Sequence, residues 1–130
     1  MGDISIDTSR DVHLVVPAAA EYLRLVRLTA AGLASRMGFT FDEVEDLRIA
    51  VDELCFLLVG EDELDRTMEL RYSSGEGSIS IEGYTRLPGP SPEPNDLSEQ
   101  ILSALVDEHE VVGGDGEIRF RLLKHREADG

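Results

Sequence analysis

The stretch 40–60 constrains this chain most. Thr40 followed three residues later by Glu43 is a capping box, in which the hydroxyl accepts from an amide one turn in and the carboxylate reaches back. Phe39 and Val44 stand where a hydrophobic staple would fix the chain's entry. Val44, Leu47, Val51, Leu54 and Leu58 then recur every three or four residues, which predicts a helix over 41–59 ending at Gly60 with one apolar stripe facing a core. Another helix precedes it. Tyr22, Val26, Ala30, Leu33 and Met37 predict it over about 18–36, Gly38 stops it, and Leu25 and Leu28 widen its stripe while Arg24, Arg27 and Arg36 project elsewhere.

The remaining segments read mostly as strands. Residues 11–17 make a short strand, with Pro17 suited to a helix entry. Residues 67–73 and 78–84 alternate polar and apolar around a turn at 74–77, after an acidic loop at 61–65. Four of the five prolines fall in 86–94, which must be a loop. Asn95 or Asp96 can cap a third helix over 97–107, with Leu97, Ile101, Leu105 and Ala104 inward. A short strand at 110–112, a tight turn at 113–116 and a last strand at 117–124 complete the order βααββαββ, with Ile118, Phe120 and Leu122 sharing a face. The fold class is therefore α+β: helices on one face of a mixed, mainly antiparallel sheet, the other face more open. With no repeat and no long linker, 1–130 reads as a single domain.

Composition bounds what such a domain does. Its 130 residues carry 27 Asp or Glu against 12 Lys or Arg, a formal net charge of −15, which repels the phosphate backbone and disfavours nucleic-acid binding. A hydrophobic content of 42% is enough to fill a core, so wholesale disorder is excluded. The longest apolar runs, 14–20 and 54–59, are too short to span a bilayer, so no membrane association is expected. The first residues have neither a basic n-region nor an apolar h-region, so no secretory signal is expected. A single cysteine excludes an internal disulfide and fits a reducing cytoplasm, the expected location. Cys55 itself reads as a small buried hydrophobe, and His13, His109 and His125 lie on different elements without a second ligand nearby, so no metal site is expected.

A family comes into view in the second helix. Asp46-Leu-Arg-Ile-Ala-Val-Asp-Glu-Leu-Cys55 resembles the signature helix of the RsbW-type anti-sigma-factor serine kinases, of the GHKL ATPase superfamily, and especially their actinobacterial wording D-L-R-x-A-V-D-E-x-C. The likeness runs without gaps back through Thr40-Phe-Asp-Glu43 and along the first helix. It continues more loosely at Ile79-Ser-Ile-Glu82 and Val106-Asp-Glu-His-Glu-Val111. The resemblance implies a Bergerat two-layer sandwich with an ATP site between the signature helix and the third helix. It also implies two protein partners: an alternative sigma factor, and a STAS anti-anti-sigma protein that active members phosphorylate on serine. A homodimer stays open.

The nucleotide boxes depart from the family pattern. Active members carry E-x-x-x-N, a general-base Glu and a Mg²⁺-holding Asn. Glu53 matches the first, but Leu57 stands at the second and offers no oxygen to a metal that demands oxygen ligands. In the first glycine box, D-x-G-x-G, the Asp that receives the adenine amino group becomes Thr85, the first Gly becomes Leu87, and only Gly89 is kept. The second box, G-x-G, becomes Asp96-Leu-Ser98, which replaces a phosphate cradle with a carboxylate. Like charges about 4 Å apart cost on the order of 4 kcal/mol at an effective dielectric of 20. The expectation is a degenerate site with no cofactor. Glu53 is then a solvated or locally paired carboxylate, and Gly89 a loop glycine between prolines.

What remains is a surface. Arg27 aligns with the first-helix arginine that in the family contacts both partners, and Arg24 lies on a similar face one turn earlier, against the bland alternative of charge balance on an exposed helix. The acidic excess around the second helix would steer a basic partner. The resulting expectation is an anti-sigma-like, pseudokinase-type regulator of transcription. Its rivals are an active ATP- and Mg-dependent serine kinase in which Glu53 is catalytic, and a dimerisation or scaffold module.

Overall fold

The computed structural model describes residues 11–59 and 66–127. In it β1 (Val12–Pro17) leads through a 3₁₀ turn (Ala20–Tyr22) into α1 (Leu23–Arg36) and α2 (Phe41–Cys55). Then come β2 (Thr67–Ser74), β3 (Ser78–Arg86), α3 (Asp96–Leu105), β4 (Glu108–Gly114) and β5 (Glu117–His125), the order the sequence predicts. The chain start and the acidic run 61–65 lie outside the described residues.

The five strands form one sheet in the order β1-β2-β3-β5-β4, and every pairing is antiparallel. The expected antiparallel character thus holds, while the mixed component has no counterpart among the described residues. Two hairpins, β2–β3 and β4–β5, impose it, since a tight turn can join only antiparallel neighbours. In the β4–β5 turn Asp115 and Gly116 have φ of 55° and 80°, the left-handed pair that a primed two-residue turn requires.

Strand alternation builds the core. Met68, Leu70 and Tyr72 of β2, Ile79 and Ile81 of β3, and Ile118, Phe120 and Leu122 of β5 are buried on one face. Val26, Ala30 and Ala34 of α1, Leu47, Val51 and Leu54 of α2, and Leu102 of α3 pack against them in a single cluster. Each fully buried leucine contributes roughly 1.5–3 kcal/mol relative to exposure. Gly83 pairs with Phe120 in this layer, and a Cβ there would run into the phenyl ring, so a side chain on β5 covers a backbone position on β3. The opposite face carries charge: His13, Arg71, Glu82, Arg121 and Glu110 stand in one register row across all five strands.

The capping box is present as read. Thr40 N donates to Glu43 Oε1 at 2.7 Å, and Glu43 N donates to Thr40 Oγ1 at 3.1 Å. Three expectations shift. The α2 helix ends at Cys55, and the chain continues through residues 56–58 with Leu57 N to Leu54 O and Leu58 N to Cys55 O bonds, a last turn tightened to i→i+3. The α3 helix starts at Asp96 and stops at Leu105, whose carbonyl accepts from Lys124 Nζ at 2.7 Å. Its inward residue is Leu102, with Leu97 and Ala104 exposed. Leu25 and Leu28 likewise point outward, at 47% and 54% exposure, because they lie on the far side of α1 from Val26 and Ala30.

Candidate functional site

The two helices that would flank a nucleotide are joined by one polar contact. Ser98 in the first turn of α3 donates its hydroxyl to Glu53 Oε2 at 3.0 Å, so the structure brings these two site candidates together. Asn95 is the N-cap, and its Oδ1 accepts from Ser98 N at 2.8 Å. That amide is one of the donors a helix N-terminus would otherwise offer an anion. Asp96 is exposed at the same terminus, where its charge complements the helix dipole. Leu57 lies in the turn just past the C-terminus of α2, half-buried, with its side chain packed against the core.

Thr85 is fully buried near the end of β3. Its hydroxyl donates to Thr67 O at 2.8 Å and accepts from Arg66 Nη1 at 2.9 Å. The same nitrogen donates to Arg86 O at 2.9 Å and lies 3.4 Å from Leu58 O. A guanidinium thus sits where the resemblance expects an adenine amino group to donate. Arg66 is the one residue here that the sequence does not announce by any local pattern: it follows an acidic run and meets Thr85 nineteen positions on. Gly89, at φ 94°, is exposed, with open space where a Cβ would stand.

Arg27 is not a free cation. Its Nε lies 3.5 Å from Asp52 Oδ1 on α2 and 3.4 Å from Leu23 O, so it braces the two-helix layer while staying one-third exposed. Arg24 is exposed. Cys55 is buried in the core, where burial first and the nearby Asp52 charge second push its thiol far above the ordinary value, leaving it protonated and inert. His109 pairs with Glu99 at 2.7 Å and His125 with Asp107 at 3.3 Å. Among the described residues no group of three His, Cys, Asp or Glu side chains converges to hold a metal ion. No helix among them is long and apolar enough to cross a membrane.

Comparisons with known proteins bear on the fold and the family. No family model matches the chain. The Serine-protein kinase RsbW of Bacillus thuringiensis (strain Al Hakam) is 29% identical over 127 residues, covering 81% of this chain and 79% of that protein. The Serine-protein kinase RsbW of Bacillus subtilis (strain 168) is 57% identical over a shorter stretch of 44 residues, 34% of this chain and 28% of that protein. Among solved structures, the RsbU and RsbW domains of Rv1364c from Mycobacterium tuberculosis superpose with a TM-score of 0.68 at 17% identity, over 89% of this chain and 32% of that one. That likeness speaks for the fold. The signature helix and the sequence relatives together support an RsbW-type family, and the structural likeness supports the same sandwich fold.

Proposed function

We propose that this protein is an anti-sigma-factor-like regulator that binds an alternative sigma factor, a STAS anti-anti-sigma protein or both through its helix layer, without nucleotide chemistry. Its similarity to the RsbW serine-protein kinases supports the partner classes. The observation that supports the nucleotide-free half is the Ser98–Glu53 hydrogen bond beside Leu57. The residues present do not fit Mg-ATP: the base position is engaged by a hydroxyl, the metal position is an isobutyl group, the adenine acceptor is taken by Arg66, and the phosphate cradle carries Asp96.

Partner contact is assigned to Arg27 and, beside it, Arg24. Because Arg27 pairs with Asp52, reversal to glutamate would set two carboxylates together and disturb the helix layer, so the cleaner variant is Arg27→Gln. It should weaken binding of a sigma-factor or STAS partner by about tenfold, roughly 1.4 kcal/mol. Asp52→Asn, which releases the arginine, should not weaken binding. Circular dichroism and melting curves guard against unfolding. Equal binding by wild type, Arg27→Gln and Arg24→Glu would place the contact surface elsewhere.

A further inference from the structure

Six of the eight large hydrophobic side chains exposed among the described residues lie on the helix layer, against two on the open sheet face. Two of the six, Ile49 of α2 and Phe56 at its C-cap, are seven residues apart and so form one ridge where the helix faces away from the sheet, at 47% and 70% exposure. Leu97, 66% exposed, joins them from the first turn of α3, which Ser98 ties to Glu53 in the last turn of α2. Isolated exposed leucines need no explanation, but aromatic and branched side chains gathered on a ridge are the mark of a surface that seats something apolar.

The charge around the ridge selects what that is. The α2 helix carries six carboxylates and a single arginine. Glu43 is buried in the cap, Glu45 pairs with Arg48 at 2.7 Å and Asp52 with Arg27 at 3.5 Å. Asp42, Asp46 and Glu53, at spacings of four and seven, remain as an acidic row on the α3 side of the ridge; among the described residues Asp46 has a 4.0 Å approach from Lys124, and Glu53 a neutral hydroxyl. We infer that this ridge seats an amphipathic helix of a partner protein, with the apolar stripe of that helix on Ile49, Phe56 and Leu97 and its lysines or arginines over the acidic row. An anionic membrane is disfavoured by the net charge of −15, and a second copy would bring the same acidic row against itself. The inference deepens the partner-binding reading, rests on it, and adds an apolar anchor on α2 to the charged contact on α1.

The test uses a synthetic 18-residue peptide of leucine and lysine with leucines at helical spacing, and a scrambled peptide of the same composition. The whole protein should bind the first at least tenfold more tightly than the second, with affinity falling as salt is raised. Ile49→Asp and Phe56→Asp should each weaken binding tenfold or more, and Asp46→Asn should flatten the salt dependence. Val15→Asp, on the exposed sheet face, should change neither. Equal binding of both peptides, indifference to Ile49→Asp and Phe56→Asp, or no binding would overturn the inference. So would a dimer in sedimentation that Phe56→Asp dissociates, since a second copy would then cover the ridge. The peptide carries no sigma-factor or STAS sequence. Loss of peptide binding therefore leaves the Arg27 result standing, and an inert Arg27 leaves the ridge standing.

Discussion

Arg66 reaches across from the start of β2 to place its Nη1 2.9 Å from the hydroxyl of buried Thr85, and the same nitrogen donates to the carbonyl of Arg86. One side chain therefore ties the beginning of β2 to the end of β3. The guanidinium suits this task because its planar fork serves several acceptors at once, which an ammonium does with less geometric control.

Removing that tie should be costly. Arg66→Ala leaves the Thr85 hydroxyl and the Arg86 carbonyl short of a donor, and a lost hydrogen bond to a charged group in a partly buried site costs about 1.5–3 kcal/mol. Urea melts should show the midpoint falling without a change of slope, and Arg66→Lys should recover only part of the loss. A midpoint unchanged in Arg66→Ala would mean that water satisfies these groups equally well.

Acid should weaken the α2 cap. Burial raises the Glu43 carboxyl, but the amides of Thr40 and Glu127, the Thr40 hydroxyl and the Lys124 charge outweigh it and hold it below its ordinary value. Asp107 is held low too, chiefly by the His125 amide. A depressed carboxyl contributes stability that is complete above its unfolded value, about 4.3 for glutamate, and is lost as pH falls through the folded value. Stability should therefore decline as pH drops below about 4.3, and Glu43→Gln should flatten that decline while lowering stability at neutral pH. A variant with the same acid limb as wild type would remove Glu43 from the account.

Much of this was legible in the sequence because it is local. Thr40 and Glu43 are three apart, and their reciprocal bonds follow from helix geometry alone. The strand alternation of 67–73 and 78–84 likewise maps onto buried Met68, Leu70, Ile79 and Ile81. What failed was the phase of the apolar stripes. Leu25, Leu28 and Leu97 fit a helical period as well as any core residue, and only the position of the sheet decides that they face outward. Arg27 reads as a partner contact or as charge balance on an exposed face, and its tie to Asp52 is not legible because Asp52 lies on the next helix. Arg66 was invisible for the same reason: its role exists only once β2 and β3 are side by side.

Titration of a candidate alternative sigma factor with the purified protein, with and without Mg-ATP, separates partner binding from nucleotide chemistry. A companion variant, Leu57→Asn, restores the missing oxygen ligand while the other boxes stay as they are. The prediction is one dissociation constant in both conditions, no calorimetric heat from Mg-ATP below the millimolar range for wild type or Leu57→Asn, and no labelled phosphate on a STAS protein. Low-micromolar Mg-ATP affinity, sigma-factor binding that appears only with nucleotide, or phosphate transfer to a STAS serine would contradict it.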